Sequence, residues 1–178
     1  GQIIVNADSG IESLEDLAGK TFCRPDPTST SGWVVPSIMM RSVGVNPDTD
    51  LAEVVDAGGH PGTATAVYTG DCDAGATYVD ARTAIEEEYP DVNDKVLVLE
   101  VSDPIPNDGV QFHPDFPADM RDQIVASLMK MAESEEGQEA LETAYSWTAL
   151  EPHDDTFYDG FRQVLEAAGV DPAEFAPE

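Results

Sequence analysis

Short apolar runs alternate with helical patterns between residues 3 and 101, and this alternation restricts the fold more than any other feature of the sequence. β-strands are predicted at residues 3–6, 21–24, 52–56, 74–78 and 96–101, with helices between them at 13–17, 31–43, 61–69 and 81–88. Strands that are separated by helices pair side by side in a mostly parallel sheet. The pattern therefore predicts an α/β fold.

A segment rich in turn-forming residues, 102–109, interrupts this pattern. It contains Pro104, Pro106 and an Asn-Asp-Gly run, which favour turns and a change of chain direction. Beyond it the sequence predicts one short strand and then helices, at residues 110–112, 117–133, 135–145 and 156–168. We therefore expect two parts, an α/β part at 1–103 and a mainly helical part at 104–178.

The charge of the chain excludes several classes of partner. Asp and Glu number 36 against 8 Lys and Arg, which gives a formal net charge of −28 at pH 7. Nucleic acids and anionic membrane surfaces are bound through clustered Lys and Arg, so neither is expected as a partner. The sequence also contains no apolar run near the ~18 residues of a membrane-spanning helix. Such a charge is typical of a solvated, self-repelling surface.

The two cysteines, Cys23 and Cys72, do not form a Cys-x-x-Cys motif, so zinc-ribbon and thioredoxin-like sites are excluded. Both lie at ends of predicted strands of the same sheet. If the compartment of the protein is oxidising, we expect a disulfide between them.

Hydroxyl side chains cluster where the second predicted strand gives way to a helix. Ser29, Thr30 and Ser31 stand there in succession and are followed by Gly32. A helix N-terminus offers unpaired N–H groups and the positive end of the helix dipole, so hydroxyls at this point can complete a cage for a tetrahedral oxyanion. The alternative is an ordinary helix cap, which needs only one of the hydroxyls.

Three further polar residues follow predicted strands or occupy the interrupting segment. His60 precedes a helix, Asp80 comes after the strand at 74–78, and Asp108 lies in the turn-rich segment. Open α/β sheets bind ligands at the carboxyl edge of their strands, where these residues are expected. Taken singly, each is better explained as a helix cap or a turn residue.

Five stretches of the sequence together resemble the phosphate-, phosphite- and phosphonate-binding proteins of ABC importers. The chain is similar to this family in residues 8–20, in Ser29-Thr30-Ser31-Gly32-Trp33 with Pro36, in Gly59-His60, in residues 66–76, and in Pro104-Ile105-Pro106-Asn107-Asp108. The resemblance covers nearly the whole chain. It implies a type II periplasmic-binding fold, in which two α/β lobes clamp the ligand between them.

The resemblance also assigns roles to individual residues. Ser29, Thr30 and Ser31 match the hydroxyls that hold the phosphonate oxygens, and His60 matches a histidine that donates to the same group. Asp80 and Asp108 match acids beside the substituent of the ligand. If protonated His60 is the better donor, affinity for a dianion should rise as the pH falls through the histidine range near ~6.5.

The function implied is that of a solute-binding component, with a phosphorus oxyanion as ligand and a membrane-embedded ABC permease as partner. On this reading residues 1–103 are the second lobe, residues 104–178 return into the first lobe, and the N-terminal part of that first lobe is missing. We expect a periplasmic or extracytoplasmic monomer without cofactor or metal.

No enzyme class is favoured by the sequence. It contains no Gly-x-Ser-x-Gly elbow, no His-Glu-x-x-His pair and no P-loop. The remaining alternatives are a sensor module of the same fold and, less favoured, an enzyme that uses it.

Overall fold

One five-stranded sheet organises the part of the chain that the structure describes. A computed structural model describes residues 1–106, 109–145 and 147–167. The strands are β1 (Gln2–Asn6), β2 (Thr21–Arg24), β3 (Glu53–Asp56), β4 (Ala74–Thr77) and β5 (Val96–Val101). The helices are α1 (Val35–Ser42), α2 (His60–Thr69), α3 (Val92–Lys95), α4 (Ala118–Ala132), α5 (Glu135–Tyr145) and α6 (Asp159–Ala167). The α/β fold class predicted from the alternation is confirmed.

The strand order is β3-β2-β4-β1-β5, and four of the five strands point the same way. β2 pairs in parallel with β3 on one side and with β4 on the other. β1 is the exception, because it runs antiparallel to both β4 and β5. Its first residues therefore lie opposite the last residues of its neighbours, with Gln2 facing Thr77 on one side and Val101 on the other.

Apolar side chains cover both faces of the sheet. On one face, Ile3, Val5 and Phe22 pack against α1 and against the connection between β1 and β2, residues 7–20. On the other face, Ile4 and Val96 pack against α2 and α3. A strand that is buried on both faces reads as a continuous apolar run rather than an alternating one. This explains the uninterrupted Ile-Ile-Val sequence of β1.

Cys23 of β2 and Cys72, just before β4, are joined by a disulfide with a Cα–Cα separation of 5.9 Å. Both residues are buried in the second of these cores. The bridge ties the middle strand of the parallel set to the connection that leads into its neighbour.

The helix that follows β2 begins with a different geometry from the predicted one. Residues Thr30–Val34 form a π-helical turn, and the regular α1 starts only at Val35. Pro36 sits in the first turn of α1, where its missing N–H is tolerated. The proline thus marks the point where the wide turn gives way to an α-helix.

Three predicted elements are wrong. Residues 110–112 form no strand, because this stretch is largely exposed and pairs with no strand in the described part of the chain. The helices predicted at 13–17 and 81–88 are short 3₁₀-helices instead, at Glu15–Leu17 and Ala81–Ile85.

The described chain divides into two compact units. The first contains residues 1–105 and the described residues from 160 onward, and the second contains the described residues of 106–159. In the first unit, Phe161 and Leu165 of α6 pack on Val34 and Ile38 at the start of α1. In the second, α4 packs against α5 but buries none of its own side chains. None of the helices described is long and apolar enough to cross a membrane.

The disulfide yields a test of the stability of the first unit. Replacing both cysteines, as Cys23→Ser with Cys72→Ser, releases a link between residues 49 positions apart. In the loop-entropy model this lowers the free energy of unfolding by about 4 kcal/mol, less any strain in the native bridge. The measurement is urea unfolding with and without reductant, in which the double variant should not respond to the reductant. A wild-type protein equally indifferent to reductant would contradict a stabilising bridge.

Candidate functional site

Three connections meet at one edge of the sheet, because β2, β3 and β4 are parallel and end on the same side. The loop with Ser29 to Ser31 follows β2, His60 begins α2 after β3, and Asp80 comes after β4. The reversed β1 starts at this edge as well. Its Gly1 packs so closely on Ser31 that a Cβ there would lie 2.5 Å from the Ser31 carbonyl oxygen.

The hydroxyl cluster divides into one cap and two available groups. The Ser29 Oγ accepts a hydrogen bond from the Gly32 N–H at 3.1 Å, so Ser29 is the N-cap of the π-helical turn. Thr30 is exposed and Ser31 is half-buried. Among the described residues neither of these two hydroxyls has a hydrogen-bond partner, and their N–H groups precede the first intrahelical bonds. Thr30 and Ser31 can therefore offer donors to an anion, while Ser29 fixes the turn.

The loop before the cluster is held by close packing and by a carboxylate. A Cβ at Gly32 would lie 2.4 Å from the Pro25 ring, so only glycine permits this approach. Asp26 accepts hydrogen bonds from the Thr28 hydroxyl and N–H, at 2.7 and 2.8 Å. Both bonds lower the pKa of Asp26 and keep its carboxylate ionised, and the bond from the Thr28 hydroxyl has the larger effect. The negative charge of Asp26 is used to shape the loop.

Arg24, the last residue of β2, holds the same loop from the other side. Its Nε lies 2.6 Å from an Asp56 carboxylate oxygen, and its guanidinium lies 4.4 Å from the centre of the Trp33 ring. The positive charge at the end of β2 is thus already paired with a carboxylate and stacked on an aromatic ring. The sequence contained no motif that singled out Arg24.

His60 is held in one tautomer by a backbone hydrogen bond. Its Nδ1 accepts from the Tyr78 N–H at 3.1 Å, and the two rings lie 4.7 Å apart. The neutral ring therefore carries its proton on Nε2, the atom that can donate to an anion. Burial lowers the pKa of His60, and the nearby Asp26 carboxylate partly opposes this. The geometry favours a neutral donor over the protonated one expected from the sequence.

Asp80 occupies a tight turn after β4. Its φ of 63° is left-handed, a conformation that aspartate adopts more readily than most residues. Its carbonyl accepts from the Thr83 N–H at 3.0 Å, and its exposed carboxylate lies 3.8 Å from an Arg82 nitrogen. The contacts of Asp80 are thus those of a turn residue, and a role towards a ligand stays a prediction. Asp108 lies outside the described residues.

Within residues 1–106, 109–145 and 147–167, no group of three His, Cys, Asp or Glu side chains could hold a metal ion. The hydroxyls, backbone N–H groups and neutral imidazole at this edge are hydrogen-bond donors, the kind of group that binds an anion. Sequence reasoning predicted Ser29, Thr30, Ser31 and His60 as site residues, and these stay predictions; it did not single out Tyr78, whose N–H fixes the imidazole.

Solved structures share this fold. The binding-protein component of an ABC phosphonate transporter from Pseudomonas aeruginosa superimposes with a TM-score of 0.75 at 24% identity, over 94% of this chain and 57% of that one. This likeness and the mixed sheet define the type II periplasmic-binding fold.

A family model described as "ABC transporter, phosphonate, periplasmic substrate-binding protein" matches residues 1–158, and the chain belongs to this family. The phosphonates-binding periplasmic protein of Escherichia coli is 28% identical over 144 residues, which are 79% of this chain and 42% of that protein. The phosphate-import protein PhnD of Mycolicibacterium smegmatis is 38% identical over 77 residues, 40% of this chain and 24% of that protein. The chain thus spans less than half the length of these relatives.

The fixed tautomer of His60 makes a prediction about pH. Because burial holds the folded pKa below the unfolded value of ~6.5, the unfolded chain binds the proton more readily. The contribution of His60 to stability is therefore present above pH ~6.5 and is lost as the pH falls through the folded pKa. NMR titration of the imidazole should give a midpoint below ~6.5, with Nδ1 unprotonated in the neutral form. A midpoint above ~6.5, or a proton on Nδ1 in the neutral form, would contradict this geometry.

Proposed function

We propose that this chain is the ligand-contacting part of the solute-binding component of an ABC importer for phosphonate or a related phosphorus oxyanion such as phosphite or phosphate. The observation that carries the proposal is the pair of unpartnered hydroxyls of Thr30 and Ser31 at a helix start, on the sheet edge that also carries His60. Family membership and the names of the relatives support the same class of ligand.

Electrostatics favour this kind of site in so acidic a protein. With a formal net charge of −28, the overall field repels an anion, so attraction has to come from groups at short range. Hydroxyls, N–H dipoles and the neutral His60 act at that range and add no long-range field. Arg24 is already paired with Asp56 and stacked on Trp33, which makes it a support for the loop rather than the ligand's counter-ion.

The backbone at the site edge suits a hinge. The Gly1 carbonyl accepts from the Ser102 N–H at 2.9 Å, and the Gly1 nitrogen donates to the Ser102 hydroxyl at the same distance. The two segments that enter β1 and leave β5 thus run side by side next to the proposed site. We propose that residues 1–103 form one lobe of a two-lobe protein and that the chain crosses into the other lobe after residue 103, with α6 returning to pack beside the start of α1.

In this mechanism the ligand bridges the two lobes and binds the closed state more tightly, so binding shifts the population towards closure. The closed protein then presents a ligand-dependent surface to an ABC permease in the membrane. The proposal implies a monomeric, periplasmic or extracytoplasmic protein that binds its ligand unchanged and uses no cofactor, rather than an enzyme.

Removing single hydroxyls tests the proposed site. In Thr30→Ala or Ser31→Ala, an oxygen of the bound anion loses a donor, which should weaken binding by ~1–3 kcal/mol. Ser29→Ala should weaken binding too, and it should also lower stability because Ser29 caps the turn. The measurement is calorimetric titration of the full gene product with phosphate, phosphite, methylphosphonate and 2-aminoethylphosphonate.

Ser42→Ala is the matched control, because Ser42 lies at the far end of α1 and its hydroxyl bonds only the Met39 carbonyl. It should leave the affinity unchanged. If the Thr30 and Ser31 variants bind as tightly as this control, the hydroxyls do not contact the ligand. If none of the four anions binds the wild-type protein, the class of ligand is wrong.

A further inference from the structure

Buried polar side chains gather behind His60. Four polar side chains are buried in the described part of the chain, those of Gln2, Ser37, Thr63 and Thr77. Gln2 and Thr77 lie opposite each other in the ladder between β1 and β4. The Thr63 hydroxyl donates at 3.1 Å to the carbonyl of Gly59, the residue before His60. Burying a polar side chain costs stability unless it is hydrogen-bonded, so the partners of these groups matter.

A series of hydrogen bonds runs from Gln2 to the imidazole of His60. The Gln2 Nε2 donates to the Thr77 Oγ1 at 3.3 Å, and the Thr77 hydroxyl donates to the Tyr78 carbonyl at 2.8 Å. The Tyr78 N–H in turn donates to His60 Nδ1 at 3.1 Å. A hydroxyl has one proton and an amide nitrogen can only donate, so the bond from Gln2 leaves the Thr77 proton for the Tyr78 carbonyl. Gln2 thereby sets the direction in which Thr77 donates.

Tyr78 depends on this support because it is the first residue beyond the strand. The pairing of β1 with β4 ends at Gln2 and Thr77, so Tyr78 has no partner in the ladder. Its side chain is 43% exposed, and its carbonyl accepts from the Thr77 hydroxyl and, at 3.3 Å, from the Ala81 N–H. The shorter of these two bonds comes from Thr77. The buried pair therefore orients the residue whose N–H fixes the imidazole.

We infer that Gln2 and Thr77 are positioning residues for the proposed anion site, an inference that rests on the proposed function. They hold Tyr78 so that its N–H stays on Nδ1 of His60. The proton of the neutral imidazole then stays on Nε2, the proposed donor to the anion. Gln2 and Thr77 act on the ligand through Tyr78 and His60, without contacting it.

Packing alone does not require polar residues at these two positions. The residues that follow Gln2 in β1 and precede Thr77 in β4 are apolar or glycine and are buried like the pair itself. Replacing both partners of a buried hydrogen bond by apolar groups of the same shape is close to neutral for stability. An apolar pair would therefore build this part of the sheet equally well, but it would give no bond to the Tyr78 carbonyl.

The test is the double variant Gln2→Met with Thr77→Val in the full gene product, which keeps the size of both side chains. The first readout is ¹⁵N NMR of the His60 ring at pH ~8, well above the ordinary histidine pKa. The wild type should show a proton on Nε2 alone, and the double variant a mixture of both tautomers. The second is calorimetric titration with methylphosphonate, in which the affinity should fall about five-fold, the worth of one hydrogen bond.

Two further variants separate positioning from stability. Thr77→Ser keeps the hydroxyl and should restore both the wild-type tautomer and the affinity. Asn6→Ala is the matched control, because Asn6 ends the same strand and donates from its side chain to the Val67 carbonyl at 2.7 Å. It should lower the urea midpoint of unfolding, whereas the double variant should not, and it should leave the tautomer and the affinity unchanged.

The outcomes separate this inference from the function on which it rests. If the double variant keeps the wild-type tautomer, or binds methylphosphonate as tightly as the wild type, the inference is overturned and the function stands. If Asn6→Ala changes the tautomer and the affinity as much as the double variant does, the effect is general destabilisation and the inference also fails. If no phosphorus oxyanion binds the wild-type protein, the proposed function fails, and the NMR measurement still decides whether the pair positions His60.

Discussion

The parallel pairing of β2 with both β3 and β4 is the constraint on which the site depends. Parallel strands end at the same edge of a sheet. The segments that follow β2, β3 and β4 therefore begin close together, although they are far apart in the sequence. The loop after β2 brings Ser29 to Ser31, the start of α2 brings His60, and the turn after β4 brings Tyr78. The disulfide between Cys23 and Cys72 joins β2 to the entrance of β4 and so fixes this same pairing covalently.

A second constraint comes from charge. With a formal net charge of −28, the chain repels an anion at long range, so the proposed site has to attract its ligand through groups at short range. The donors of that site are neutral, and the cation beside it is already paired. Arg24 is paired with Asp56, and His60 is held neutral by the Tyr78 N–H and by burial, which lowers its pKa. Affinity in such a site depends on geometry more than on net charge.

The sequence predicted the α/β class and the order of most elements because both depend on local periodicity. It also placed Ser29 and His60 at strand ends, since those positions follow from the same pattern. The reversed direction of β1 could not be predicted, because direction depends on pairing with β4 and β5, and an apolar run such as Ile3 to Val5 reads alike both ways. The contact of Tyr78 with His60 joins residues 18 positions apart and left no local signal.

The measurement that tests the central claim most directly is a ¹H–¹⁵N NMR titration of the full gene product with methylphosphonate. We expect the largest amide shifts at Thr30, Ser31 and Tyr78. In the proposed site the first two N–H groups face the anion, and the third donates to His60, the proposed donor to the ligand. Residues at the opposite edge of the sheet, such as Leu97, should shift little. Binding that leaves these three amides unchanged and perturbs another part of the chain would contradict the account.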